Sequence, residues 1–203
     1  MGNWYTNVAV KHVDQTALLR NLETLGRSAI VSPTQSGWVT VFDEECDNFD
    51  LDVLESLALT LTTQLHCAAL PCLNADDDVL WFAVYENGRR LSRYASSTEQ
   101  FEDALEFPGI PQFTAELCRL FQKPDRVPEV SRILRAGHGG LGLLRHFGAR
   151  IAYLTEIERH AELANVLNLP SASMGLGYTY VARGELATDT DPGGYLKTGS
   201  GQT

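Results

Sequence analysis

Hydrophobic periodicity divides the chain into a strand-rich first half and a helix-rich second half. Trp4 to Lys11 is rich in β-formers and predicts a first strand, and Asp14 follows as a helix N-cap. Leu18, Leu22 and Leu25 then recur at helical spacing before Gly26, one apolar stripe for a core. Ser28–Val31 and Trp38–Phe42 read as short strands separated by the turn-forming run Ser32–Gly37. Asp52, with Glu55 three residues on, reads as a capping-box start. The helix it opens carries Leu54, Leu57, Leu61 and Leu65 as its buried stripe. Cys67–Leu73 reads as a fourth strand, in which Pro71 implies a bulge or an unpaired side.

The strongest local signal follows. Asn87-Gly88 lies between two β-rich runs, and a two-residue type I′ turn needs positive φ at both central positions. That turn pairs Glu86 with Arg89, Tyr85 with Arg90, Val84 with Leu91 and Trp81 with Tyr94. Alternation then puts Leu80, Phe82, Val84 and Leu91 on one face, and Val79, Trp81, Ala83, Tyr85 and Tyr94 on the other. Both faces are apolar, which demands cover on both sides, or on one side by a partner.

The element order β-α-β-β-α-β is that of a split βαβ. The expected fold class is therefore α+β: a ferredoxin-like sheet with an added β-hairpin, followed by a helical subdomain. Boundaries are expected at 1–97 for the sheet module and 98–170 for the helical subdomain. Within the latter, Phe113–Gln122, Pro128–Arg135, Leu141–Phe147 and Ala152–Leu167 carry helical patterns. Residues 171–203 are expected to hold a short strand at Gly177–Arg183 and a mobile tail from Glu185.

Charge narrows the function classes. The formal net charge is −10, and residues 1–97 hold six Lys/Arg against thirteen Asp/Glu. Nucleic-acid binding needs a basic footprint to release counterions, so no nucleic-acid partner is expected. No apolar run is long enough for a membrane helix, and no basic-then-apolar leader opens the sequence. Four cysteines, Cys46, Cys67, Cys72 and Cys118, are widely spaced without C-x-x-C and read as buried thiols. The expected compartment is the cytoplasm.

Two acidic concentrations are the candidate sites. Asp43, Glu44, Glu45, Asp47, Asp50 and Asp52 fall within ten residues, and Asp76, Asp77 and Asp78 open the long hairpin. Asp50 and Asp52 suit a helix start; the rest could meet a basic protein or a cation. The candidate partner-binding set is Asp43, Glu44, Glu45, Asp47, Asp76, Asp77, Asp78, Trp81 and Tyr85. Other motifs fail on context. Gly137–Gly142 lacks the strand before and the G-K-[ST] ending of a phosphate loop. Asp189–Ser200 lacks the acids that complete a calcium loop. His138, His146 and His160 are not spaced as helical zinc ligands. Cys46 sits among carboxylates that would suppress a thiolate. No cofactor or metal is expected.

The run D-D-D-V-L-W-F-A-V-Y-E-N-G-R-R-L-S-R-Y, Asp76 to Tyr94, resembles a stretch in a family of uncharacterised bacterial proteins. Its members carry an aspartate-rich entry, D-V-L-W/Y, an N-G or G turn and a Tyr-containing return strand. The resemblance extends through the preceding helix–strand segment and to Leu163–Pro170, about half the chain. It implies a bacterial origin and transfers no activity. The leading expectation is a non-catalytic protein-binding module of immunity or inhibitor type, with a basic partner. The alternatives are a carboxylate-based metal-dependent hydrolase and a small-molecule sensor that binds between the hairpin and the helices.

Overall fold

A computed structural model of the chain describes residues 2–97, 109–136 and 153–199. Among them, seven strands form one antiparallel sheet: β1 (Tyr5–Lys11), β2 (Ala29–Val31), β3 (Trp38–Asp43), β4 (Ala68–Ala75), β5 (Val79–Glu86), β6 (Arg89–Ala95) and β7 (Leu196–Lys197). Their order is β6-β5-β4-β1-β3-β2-β7. Six α-helices accompany them: α1 (Gln15–Thr24), α2 (Leu51–Gln64), α3 (Ile110–Leu120), α4 (Val127–Arg135), α5 (Glu156–Leu167) and α6 (Tyr178–Ala182). The class is α+β. α1 links β1 to β2, which run the same way with β3 between them; α2 links β3 to β4 around β1 in the same manner. No helix among the described residues is long and apolar enough to cross a membrane.

Alternation along the strands builds two cores. Val8, Val41, Leu73, Trp81 and Tyr85 face Leu18 and Leu22 of α1 and Leu54, Leu57 and Leu61 of α2. Tyr5, Trp38, Leu70, Phe82, Val84 and Tyr94 face the other way, against Phe113 and Leu117 of α3, Val130 and Ile133 of α4, and Leu163 of α5. A smaller cluster of Ile30, Phe42, Ala172, Tyr178 and Val181 packs α6 against β2 and β3. The two apolar faces of the hairpin are thus covered by this chain's own helices, and α3 to α5 share one core with the sheet.

The Asn87-Gly88 turn has the expected geometry, with φ of 49° and 73°. Gly88 is required twice over: its φ is left-handed, and a Cβ there would lie 2.5 Å from Thr63 Oγ1 at the end of α2. The register holds from Glu86↔Arg89 to Tyr85↔Arg90 and then shifts, so that Val84 faces Ser92 and Phe82 faces Tyr94. Leu91 is the extra residue of a β-bulge. One residue of slip turns every later side chain over, which is why Tyr94 joins Phe82 and not Trp81. At Pro71 the β4–β5 ladder passes from Ala69↔Tyr85 to Cys72↔Phe82 without changing step, while Pro71 stays paired with Val8 of β1. The side facing β5 is the unpaired one.

Four further expectations are corrected. The cap of α2 is Asp50, whose carboxylate accepts from Asp52 N and Val53 N; Asp52 lies inside the first turn. Gly177–Arg183 is helical, not extended, because Asp47, distant in sequence, caps α6 by accepting from Tyr178 N (3.1 Å) and Thr179 N (2.7 Å). The segment after Glu185 returns to the sheet: Leu196–Lys197 pairs with β2, and the Tyr195 ring stacks on Phe42. The helix expected at Ala152–Leu167 begins at Glu156. Leu141–Phe147, Gly137–Gly142, His138 and His146 lie outside the described residues.

Candidate functional site

The first acidic run is mostly occupied by the fold. Asp43 is 2 % exposed and receives Arg27 Nε at 2.8 Å, a second Arg27 nitrogen, and Cys46 N at 3.0 Å. Glu45 is exposed and pairs with the same guanidinium. Asp47 and Asp50 are helix caps. Glu44 is exposed, and its backbone N–H donates to Ser28 O.

Two carboxylates of the second run, Asp76 and Asp77, are likewise engaged within the fold. Asp76 and Asp77 occupy left-handed positions in the β4–β5 turn, which closes through Asp78 N and Ala75 O at 3.0 Å. Asp76 accepts from Gly2 N and Trp4 Nε1, and Asp77 from Asn3 N and Asn74 Nδ2. The Asp77 carbonyl receives Glu156 N, the first residue of α5. These aspartates pin the start of the chain and α5 to the turn. Trp81 and Tyr85 are not surface residues: both are buried beneath α2. Burial, then the nearby Glu55 carboxylate, pushes the Tyr85 hydroxyl up.

The buried ionisable groups are held neutral or paired. Burial pushes the Cys67 and Cys118 thiols up to about 11. It also raises Cys46, with Asp43 adding to the effect, and Cys72. His160 lies fully enclosed, its Nδ1 2.7 Å from the Tyr5 hydroxyl and its ring edge-on to Phe82. Burial brings its imidazole down to about 3. Beside it, Arg159 pairs with Glu156 at 2.7 Å and donates to the carbonyls of Ile133 (2.7 Å) and Ala136 (2.8 Å), closing the end of α4. Among the described residues, no group of three or more His, Cys, Asp or Glu is placed to hold a metal.

Several concavities among the described residues are open to a ligand, and two of them bring charged side chains together from separate elements. One is a groove of about 380 Å³ between the end of α1 and α2, with Leu25, Val53 and Leu57 below and Glu45, Asp52 and Arg27 along it. The other is a polar cleft of about 370 Å³ at one end of the sheet, between the hairpin tip and the C-terminal ends of α2 and α3. Lys11, His12, His66, Glu86, Asn87 and Arg119 line it. No family model, curated protein or solved structure matches this chain. Its sites are therefore argued from geometry. Sequence reasoning missed the cleft because its residues come from four separate elements. The one local hint is that His66 and Gln122, just past α2 and α3, stand where a helix usually ends in glycine.

Proposed function

We propose that this chain is a non-catalytic, cytoplasmic protein-binding module that takes a basic segment of a partner protein into the groove between α1 and α2, as an immunity or inhibitor protein would. The observation that carries this reading is an apolar floor, Leu25, Val53 and Leu57, edged by the carboxylates Glu45 and Asp52. Apolar area supplies adhesion, while carboxylates select a cationic partner and speed its approach. A net charge of −10 adds attraction at longer range. The acids proposed to act are Glu44 and Glu45 from the sequence-predicted set, joined by Asp52, which the sequence assigns to a helix start. Asp43, Asp47, Asp76 and Asp77 are engaged within the fold, which also leaves a carboxylate-based hydrolase with little support.

The strand order β4-β1-β3-β2, with α1 and α2 on one face, supports a ferredoxin-like core carrying the β5–β6 hairpin on its β4 edge. Four free cysteines fit a reducing compartment. The test is surface plasmon resonance against a partner recovered by affinity capture, comparing wild type with Glu44→Lys/Asp52→Lys. At low salt the double reversal should slow association several-fold with little change in dissociation. The difference should vanish near 0.5 M salt, where the Debye length is roughly 4 Å. An association rate indifferent to the double reversal at low salt would remove this reading.

A further inference from the structure

We propose that the cleft between the hairpin tip and the ends of α2 and α3 binds a small phosphate-bearing molecule, with Lys11, His12 and His66 as its donors. This site is separate from the acid-rimmed groove and stands whether or not that groove binds a protein. In a chain of net charge −10, Lys11 and Arg119 line one cleft together with two imidazoles. The single carboxylate lining it, Glu86, is already held by Arg119 at 2.9 Å. Burial, then the nearby Arg119 charge, push the Lys11 ammonium down, with Glu86 partly opposing them, and an anion bound beside Lys11 would stabilise its charged form further.

Lys11 gives one of its three N–H groups to the Leu120 carbonyl at the end of α3, and its ammonium stands 5.6 Å above the Trp38 ring. Trp38 in turn stacks on Phe121, so the lysine is positioned by a rigid aromatic base. Two ammonium donors are left for a ligand, with imidazoles arriving from the β1–α1 and α2–β4 connections. Donors from separate elements suit a tetrahedral oxyanion with several acceptor oxygens. A planar carboxylate favours the arginine fork, and that of Arg119 is occupied by Glu86 and Glu116. The volume, about 370 Å³, lies at the small end of ligand sites, too small for a polymer.

His12, His66, Asn87 and Gln122 all line the cleft, and all have positive φ, between 48° and 56°. Asn87 belongs to the hairpin turn. At His66 and Gln122, directly past two helices, glycine would adopt that conformation without steric cost. Keeping side chains in strained conformations is characteristic of sites where the side chain is used.

The test is isothermal titration of the full chain with inorganic pyrophosphate and, separately, with citrate. Lys11→Gln keeps an N–H for the Leu120 carbonyl but removes the charge, and should weaken pyrophosphate binding roughly tenfold. His66→Gly should weaken it as well while raising the melting temperature by about 2–4 °C, because the strained position is relieved. Wild-type citrate binding should be weaker than pyrophosphate binding. No pyrophosphate binding at millimolar ligand, binding indifferent to both substitutions, or citrate bound as tightly as pyrophosphate would each overturn the proposal.

Discussion

Burial brings the His160 imidazole down to about 3, against about 6.5 for a histidine in an unfolded chain. Between these values the unfolded chain binds a proton that the folded one does not, so stability rises with pH in that window. The contribution is complete above pH 6.5 and is lost as the pH falls below it. At up to 1.36 kcal/mol per unit, this one group should remove about 2 kcal/mol between pH 6.5 and 5. Urea denaturation of wild type and His160→Phe at both pH values isolates the effect, since the carboxylates titrate alike in both. Equal pH dependence in the two proteins would contradict the enclosed, neutral imidazole. Asp47 illustrates a second residue-scale point. Its carboxylate caps a helix distant in sequence, so Asp47→Ala should cost about 1 kcal/mol, whereas Glu44→Ala should leave equilibrium stability nearly unchanged.

At the scale of elements, the hairpin shows how a turn and a bulge divide the work. Asn87 and Gly88 set the first two pairs, and the extra residue Leu91 then re-aims the return strand. The bulge sends Tyr94 to the side of α3 and α4, where its hydroxyl donates to the Leu134 carbonyl at 3.0 Å and its ring stacks on Phe113. Because the turn alone requires positive φ, Asn87→Val should destabilise the protein by roughly 1 kcal/mol or more, and Asn87→Gly should not. Equilibrium denaturation decides it: wild-type stability in the valine variant would show that the turn does not constrain the pair.

Across the whole molecule, the sheet carries α1 and α2 on one face and α3, α4 and α5 on the other, which leaves connections and sheet ends for function. Opposite chemistries then sit in different places: carboxylates beside the α1–α2 groove, and cations in the cleft at the hairpin tip. A protein of net charge −10 repels a polyanion as a whole while still offering one basic cleft to a small anion.

Local patterns were legible wherever one element's own residues decide its state. Asp14 caps α1, the leucine stripe of α2 faces the core, and Asn87-Gly88 makes its turn, because capping, amphipathicity and positive φ act within a few residues. The acidic runs were legible as composition, but which of their carboxylates the fold engages was not. Whether Asp43 meets solvent or Arg27, and whether Asp47 meets a partner or α6, depends on what the fold brings beside it. The same holds for Trp81 and Tyr85: an aromatic strand face looks alike in sequence whether it waits for a partner or lies beneath α2. No local rule announces the Leu91 bulge. The basic cleft was invisible for the same reason, since Lys11, His66 and Arg119 share no periodicity and meet only because three elements terminate at one end of the sheet. Short-range sterics and hydrogen bonding thus settle the elements, while burial and charge pairing, which are long-range, settle which side chains remain free to act.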